Sequence, residues 1–333
     1  MTPVGESHGG AGGASLPLDG SRVTVAFQGE LGAFSEEAVR TWFDPGVEPL
    51  PCREFREVAE RVRTGDARAG LLPVENSLAG SVQPAYDALV EPGLAVVGEV
   101  IRPIRHFLLG LPGAELETLR RVISHPVALA QCGTFLSGHP SIEAVAVYDT
   151  AGAAREVAEG GDPTVAAIAA RRAAERYGLD VLAGDLQDRS DNQTRFLVIR
   201  GEGAPPLPEE SRDPATVAEP SEPPPSDPEA RDGGTPPGAA SWKTALLVET
   251  ENRPGSLVDI LLPMAEEGVN LSKLESRPGP TPWSYRFFLE FEGNPAEEAA
   301  ERALRTVGER ARSVRVLGTF HPWRPPVDAP EAG

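Results

Sequence analysis

Cysteine is nearly absent from this chain: Cys52 and Cys132 are the only two in 333 residues. They lie far apart in sequence and show no metal-ligand spacing, so each is expected as a reduced thiol, the default of the cytoplasm. Long apolar runs are missing too, and no stretch approaches the roughly 20 residues that a membrane-spanning helix needs. Residues 1–20 are glycine-rich, with neither a basic start nor an apolar core. That excludes a secretory signal and predicts a disordered tail. Basic clusters are also lacking. A net charge of −19, with no local run of Lys or Arg against it, excludes nucleic acid as a partner. A small anionic ligand stays open, because a pocket can be positive inside a negative protein.

What is present reads as globular protein, with 40% hydrophobic and 24% charged residues over a length suited to two or three domains. The composition breaks at residues 201–241. This stretch holds 11 prolines, nine Asp or Glu against two Arg, and no aromatic residue. It cannot bury enough apolar surface to offset the entropy of ordering, so a disordered, extended linker is expected. Its net charge of −7 is more than a third of the chain's excess, and the flanking parts are correspondingly less acidic. Residues 324–333 are expected as a second disordered tail.

Residues 21–200 alternate short apolar runs with helical patterns. Strands are predicted at 23–27, 69–72, 94–100, 107–111, 122–123, 145–147, 165–168 and 196–199. Helices are predicted at 36–43, 55–63, 128–136, 151–159 and 169–176. The alternation implies an α/β domain built on a mainly parallel sheet, or two. About 180 residues exceed what one small sheet needs, so two lobes with a ligand cleft between them are expected. Residues 242–323 read differently. Leu257, Ile260, Leu261 and Met264 form an i, i+3, i+4, i+7 stripe that ends before Gly268. With strands at 244–250, 269–276, 283–291 and 314–320 and a helix at 297–310, the order is βαββαβ, a ferredoxin-like sandwich.

Polar residues gather at four strand ends of the first unit. Residues 29–35, Gly-Glu-Leu-Gly-Ala-Phe-Ser, follow the first strand and open a helix, whose free N–H groups attract an anion. A plain tight turn would look the same. Glu75, Asn76 and Ser77 end the next strand, where helix capping is the ordinary explanation. Ser124, His125 and Pro126 end another, with Gln131 in the following helix; a loop histidine and a helix-surface glutamine would need no ligand. The fourth cluster, residues 191–195 (Asp-Asn-Gln-Thr-Arg), stands at the mouth of strand 196–199. Mouths of α/β sheets are where ligands bind, and an arginine there can fork onto a carboxylate.

Together the four clusters resemble the prephenate dehydratase family. The resemblance runs from Val25 to Ile199 and rests on Gln28-Gly29 through Ala38, the run from Pro73 to Val82, Ser124-His125-Pro126 with Ala130-Gln131-Cys132, and Asn192-Gln193-Thr194-Arg195-Phe196. Val127 stands where the family often has glutamine. The second unit is similar to the ACT regulatory domain, on residues 253–258 (Arg-Pro-Gly-Ser-Leu-Val), Asn270 and residues 274–278 (Leu-Glu-Ser-Arg-Pro). Ser256 replaces a common alanine. The resemblance implies two α/β lobes like a type II periplasmic binding protein and a ferredoxin-like ACT domain, joined by the flexible Pro-rich acidic linker that the composition predicts.

It also implies a chemistry: prephenate loses carbon dioxide and its ring hydroxyl to give phenylpyruvate, with no metal or organic cofactor. Thr194 would hydrogen-bond the departing hydroxyl or help deliver its proton; threonine is too weak an acid alone, so it would join a relay or steady the leaving oxygen by its dipole, with Glu75 the nearest candidate acid if burial raises its pKa. Arg195 would take one substrate carboxylate. The helix start near Ala33 and Ser35 would take the other, while Asn76, Ser77, Ser124 and Gln131 orient the substrate. Phenylalanine, the end product, would bind where two ACT domains meet, at Gly255, Ser256, Leu257, Val258, Asn270 and Leu274, which requires a dimer or tetramer. Packing explains part of the role of Leu257, Val258 and Leu274. A long tether cannot carry coupling, so either the domains touch directly or inhibition is weak. Three competing readings are arogenate as substrate, a prephenate decarboxylase that keeps the hydroxyl, and a regulatory ligand-binding protein on the same frame.

Overall fold

The computed structural model describes residues 23–43, 46–211, 242–279 and 281–324. The expected N-terminal tail, most of the expected linker and residues 325–333 lie outside them. The first lobe is built from β1 (Thr24–Gln28), β2 (Glu48–Cys52), β3 (Ala69–Asn76), β4 (Gly80–Ser81), β5 (Leu94–Pro103) and β11 (Gln193–Gly201), in the order β2-β1-β3-β11-β5 with β4 on β3. Helices α1 (Phe34–Trp42), α2 (Phe55–Thr64) and α3 (Gln83–Leu89) cover it. The second lobe holds β6 (Phe107–Gly110), β7 (Arg121–Ser124), β8 (Glu143–Ala146), β9 (Val165–Ala169) and β10 (Asp180–Ala183), ordered β10-β6-β9-β7-β8. Its helices are α4 (Pro126–Gln131), α5 (Gly133–Gly138), α6 (Thr150–Gly160) and α7 (Arg171–Tyr177).

The sheets are mixed rather than mainly parallel. β1 runs parallel to β2 and β3, and β7 to β8 and β9, but β11 is antiparallel to both its neighbours, and β6 to β9 and β10. The reason is connectivity. The chain leaves the first lobe after β5 and re-enters at β11, inserting that strand between β3 and β5. Two edge strands escape the sequence pattern. β2 carries Pro49 and Pro51, residues that cannot donate to a ladder and are tolerated only at an edge. β10 is a short edge strand with two exposed positions. The expected helix 128–136 is two short helices broken at Cys132. The linker starts later than its composition suggests. Leu207 is fully buried in the first lobe's core, and Arg200 pairs with Glu210 at 2.9 Å.

The third unit is the expected sandwich: β12 (Lys243–Glu249), α8 (Ser256–Glu266), β13 (Leu271–Pro278), β14 (Tyr285–Glu292), α9 (Glu298–Arg310) and β15 (Ser313–Phe320), in sheet order β13-β14-β12-β15. α8 and α9 cover one face of the sheet. The other face packs directly on the first lobe: Ala245, Leu247, Phe288, Leu317 and Phe320 share one core with α2, α3, β3 and β5. Tyr86 meets Phe288 edge-on at 4.9 Å. Gly318 lies against the Val96 backbone, where a Cβ would overlap the carbonyl oxygen. Gly318→Ala is therefore expected to cost about 1–3 kcal/mol by overpacking, read as a lowered Tm.

Candidate functional site

Residues 104–106 and 184–192 carry the chain between the lobes, and they bond to each other. The Ile104 N–H donates to the Asn192 carbonyl (2.8 Å), and the Leu186 N–H to the His106 carbonyl (3.0 Å). β11 starts immediately after the return crossing and sets Thr194 opposite Asn76 of β3. The Asn76 Nδ2 donates to Thr194 Oγ1 (3.0 Å), Asn192 Oδ1 (2.8 Å) and the Gln193 carbonyl (3.1 Å). Asn192 Nδ2 in turn donates to Gln131 Oε1 (3.0 Å), and His106 Nε2 lies 2.9 Å from that same oxygen. Ser77 clasps the junction, its hydroxyl donating to the Asp191 carbonyl (3.0 Å) and accepting the Gln193 N–H (3.0 Å). Thr194, Asn192 and His106 are buried. The structure thus brings Thr194, Asn76, Ser77 and Gln131 together from three motifs, and adds His106 and Asn192, to which sequence reasoning gives no role of their own.

Three expected residues stand elsewhere. β11 begins at Gln193, so Thr194 and Arg195 lie inside the strand and their side chains leave opposite faces. Arg195 turns toward the third unit, with its fork on Glu99 (2.6 Å) and Glu290 of β14 (2.7 Å). Burial works against its charge, but Glu290 and Glu99 outweigh that and raise its pKa. Lys243 of β12 completes the group, 3.0 Å from Glu99. Glu75 follows Arg195. Phe196 pairs with Pro73 but Arg195 with Glu75, leaving Val74 as the extra residue of a β-bulge. That turns Glu75 to the same side, where it pairs with Lys273 of β13 at 2.8 Å. Ser124 is fully buried, and its hydroxyl donates to the Ile168 carbonyl within the second lobe's sheet (2.5 Å).

The α1 start faces the second lobe. Gly32, at φ 94°, lets the loop close on Ala173 of α7. Tyr177 donates to the Leu31 carbonyl (2.7 Å), and Arg155 meets Glu30 (3.1 Å). Ala33 is the helix N-cap, and Ser35, in its first turn, is nearly buried. One amide of this end is already taken by the chain itself: the Gly32 N–H donates to Glu36 Oε2 at 2.6 Å, while Glu36 Oε1 meets Arg40 and Arg172. Burial would raise the Glu36 pKa, yet Gly32, Arg40 and Arg172 together hold it below its ordinary 4.5. A depressed carboxylate stabilises the fold fully above its unfolded pKa, and the contribution fades as pH falls toward the folded value. Glu36→Gln should therefore lower Tm at neutral pH, with the gap to wild type narrowing below about pH 4.5. A cavity of about 470 Å³ lies apart from Thr194, between α2, α3 and Tyr148 of the second lobe.

The prephenate dehydratase family model matches residues 25–204, more than half of the chain, and the ACT domain model matches residues 244–309. The chain belongs to the prephenate dehydratase family. The arogenate dehydratase/prephenate dehydratase 2 of Arabidopsis thaliana, a chloroplastic protein, is 38% identical over 312 residues, which is 91% of this chain and 74% of that one. A prephenate dehydratase from Arthrobacter aurescens, solved in complex with L-Phe, is 31% identical with a TM-score of 0.73 over 90% of each chain. GqqA, described as a novel type of quorum quenching acylase, is 33% identical with a TM-score of 0.74, over 90% of this chain and 98% of that one.

The ACT motifs of the family divide by face. Along β13, Lys273, Glu275 and Arg277 point at the first lobe. Glu275 accepts from Ser81 (2.6 Å), and the Arg277 fork holds both oxygens of Asp87 (2.7 and 2.9 Å). Leu274 is exposed on the other side, as are Val258 and Asn270. Gly255 caps α8 at φ 84°, with Ser256 and Leu257 half-buried behind it.

Proposed function

We propose that the protein dehydrates and decarboxylates prephenate, yielding phenylpyruvate, carbon dioxide and water. Carbon dioxide leaves the ring carbon that bears both side groups. Its bonding electrons complete the aromatic ring and expel the hydroxyl on the opposite carbon as hydroxide, which takes up one proton. The observation that carries this reading is Thr194, buried at the junction of the lobes, bonded to Asn76 and linked through Asn192 to Gln131. Thr194 stabilises the departing oxygen, Asn76 orients the Thr194 hydroxyl, and Gln131 and the α1 start near Ala33 and Ser35 hold the carboxylates. Glu75 and Arg195 belong to the domain interface in this reading, and Ser77 and Ser124 to the frame. Acyl transfer fits less well. A threonine nucleophile needs an adjacent base, whereas the hydrogen bond to Thr194 Oγ1 among the described residues comes from an amide N–H.

Arogenate, with an amino group in place of the keto oxygen, fits the same carboxylate contacts, and the Arabidopsis relative carries both names. Phenylalanine regulates by binding between two ACT domains at Gly255, Ser256, Leu257, Val258, Asn270 and Leu274, so the working protein is a dimer or a dimer of dimers. The chain works in the cytoplasm, in keeping with two free, buried thiols; no helix among the described residues is long and apolar enough to cross a membrane. The test is an ultraviolet assay for phenylpyruvate from prephenate, beside amino-acid detection of phenylalanine from arogenate, with and without added phenylalanine. Turnover of neither substrate would refute the enzyme reading. Sedimentation at the same phenylalanine concentrations tests the assembly.

A further inference from the structure

We propose that His106 is a positioning residue: with Asn192 it turns the Gln131 carbonyl inward, so that Gln131 and Thr194 both present hydrogens to a substrate dianion. This deepens the reading of Thr194 given above. The direction of each bond follows from donors that cannot reverse. The Asn76 Oδ1 accepts the backbone N–H groups of Leu78 (3.0 Å) and Ala79 (2.8 Å). Backbone N–H groups only donate, so the other end of that amide is the NH₂. Its two hydrogens serve Asn192 Oδ1, Thr194 Oγ1 and the Gln193 carbonyl, one of them shared. Thr194 accepts there and keeps its own hydrogen for a ligand.

Asn192, having used its oxygen, donates through Nδ2 to Gln131 Oε1. His106 Nε2 reaches the same oxygen at 2.9 Å and must carry a hydrogen to bond it. Gln131 Oε1 is then filled by two donors and its NH₂ remains available. A reversed Gln131 would set its NH₂ against two N–H groups, so the pair of donors fixes its orientation. His106 Nδ1 is buried without a partner, which selects the neutral Nε2–H tautomer. Burial lowers the pKa of the ring in the same sense. The ring itself is wedged edge-on against Phe34 at 5.4 Å, and its backbone N–H is held by Gln187. The result is a row of amides running from the second lobe through the crossing to Thr194, with the Gln131 NH₂ and the Thr194 hydroxyl left as donors for a dianionic ligand.

The test uses the full chain. His106→Leu keeps the bulk and removes the donor, freeing Gln131 to rotate. KM for prephenate should rise about tenfold, the scale of one buried hydrogen bond, with a smaller fall in kcat. His106→Gln, which returns an N–H near the Nε2 position, should restore most of the loss. Nitrogen-15 NMR of the imidazoles in wild type should show His106 as the Nε2–H tautomer. A His106→Leu enzyme with wild-type kcat and KM overturns the proposal, as does a His106→Gln enzyme no better than Leu, or an Nδ1–H tautomer in wild type. The NMR result decides alone if the Leu variant does not fold. Failure of the parent reading looks different: wild type would turn over neither prephenate nor arogenate.

Discussion

Thr194→Val should lower kcat on prephenate by about 10²–10³, the scale found when one donor to a developing oxyanion is removed, while KM changes little. The hydroxyl donates most strongly in the transition state, when the departing oxygen carries charge. The substitution is nearly isosteric, and the lost partner on the protein side is one of three acceptors of Asn76 Nδ2, so the local frame should survive. Steady-state kinetics with Tm as a folding control measures this. Near-normal turnover in a folded Thr194→Val enzyme would remove Thr194 from the reaction.

Arg195→Met should behave in the opposite way, as a stability variant. Removing the guanidinium leaves the carboxylates of Glu99 and Glu290, each with a side chain 1% exposed, without their shared cation. Breaking a buried pair by deleting one partner costs about 3–5 kcal/mol, a Tm loss of roughly 10 °C for a domain of this size. Burial already raises the Glu290 pKa although Arg195 opposes it. In Glu99, Arg195, Lys243 and the Trp323 N–H overcome burial and lower it. Arg195→Met combined with Glu290→Met should recover part of the loss, because no charge on β14 is then stranded. A stable Arg195→Met protein with a raised KM would return Arg195 to the substrate and refute the interface role.

These two neighbours mark how far the sequence could be read. Thr194, Asn76 and Gln131, which the motifs singled out, lie in one hydrogen-bonded row through Asn192, and the two lobes follow from strand–helix alternation over about 180 residues, the βαββαβ unit from its periodicity. Arg195 and Glu75 could not be placed that way. Their side depends on where β11 begins and on a one-residue bulge at Val74, both set by pairing with strands over 90 residues away. A polar run before an apolar run looks like a strand mouth whether the ladder has started or not. His106 was hidden for another reason. Its partner Gln131 is 25 residues distant, so nothing local distinguishes it from a histidine in a loop. The docking of the ACT sheet was legible only as one of two alternatives. The alternation of Lys273, Glu275 and Arg277 toward the first lobe needs the sheet's buried face to be known.

Lysine usage gives the docked interface a built-in reporter. The whole chain has two lysines, Lys243 and Lys273, and both ammonium groups are held across the interface by Glu99 and Glu75, with side chains 18% and 13% exposed. An acylating reagent must reach the ε-amine, and in the docked state the protein packed around each ion pair blocks that approach. Each ε-amine acylated thus counts a molecule whose regulatory domain had lifted from the first lobe, and labelling speed becomes a clock for that opening.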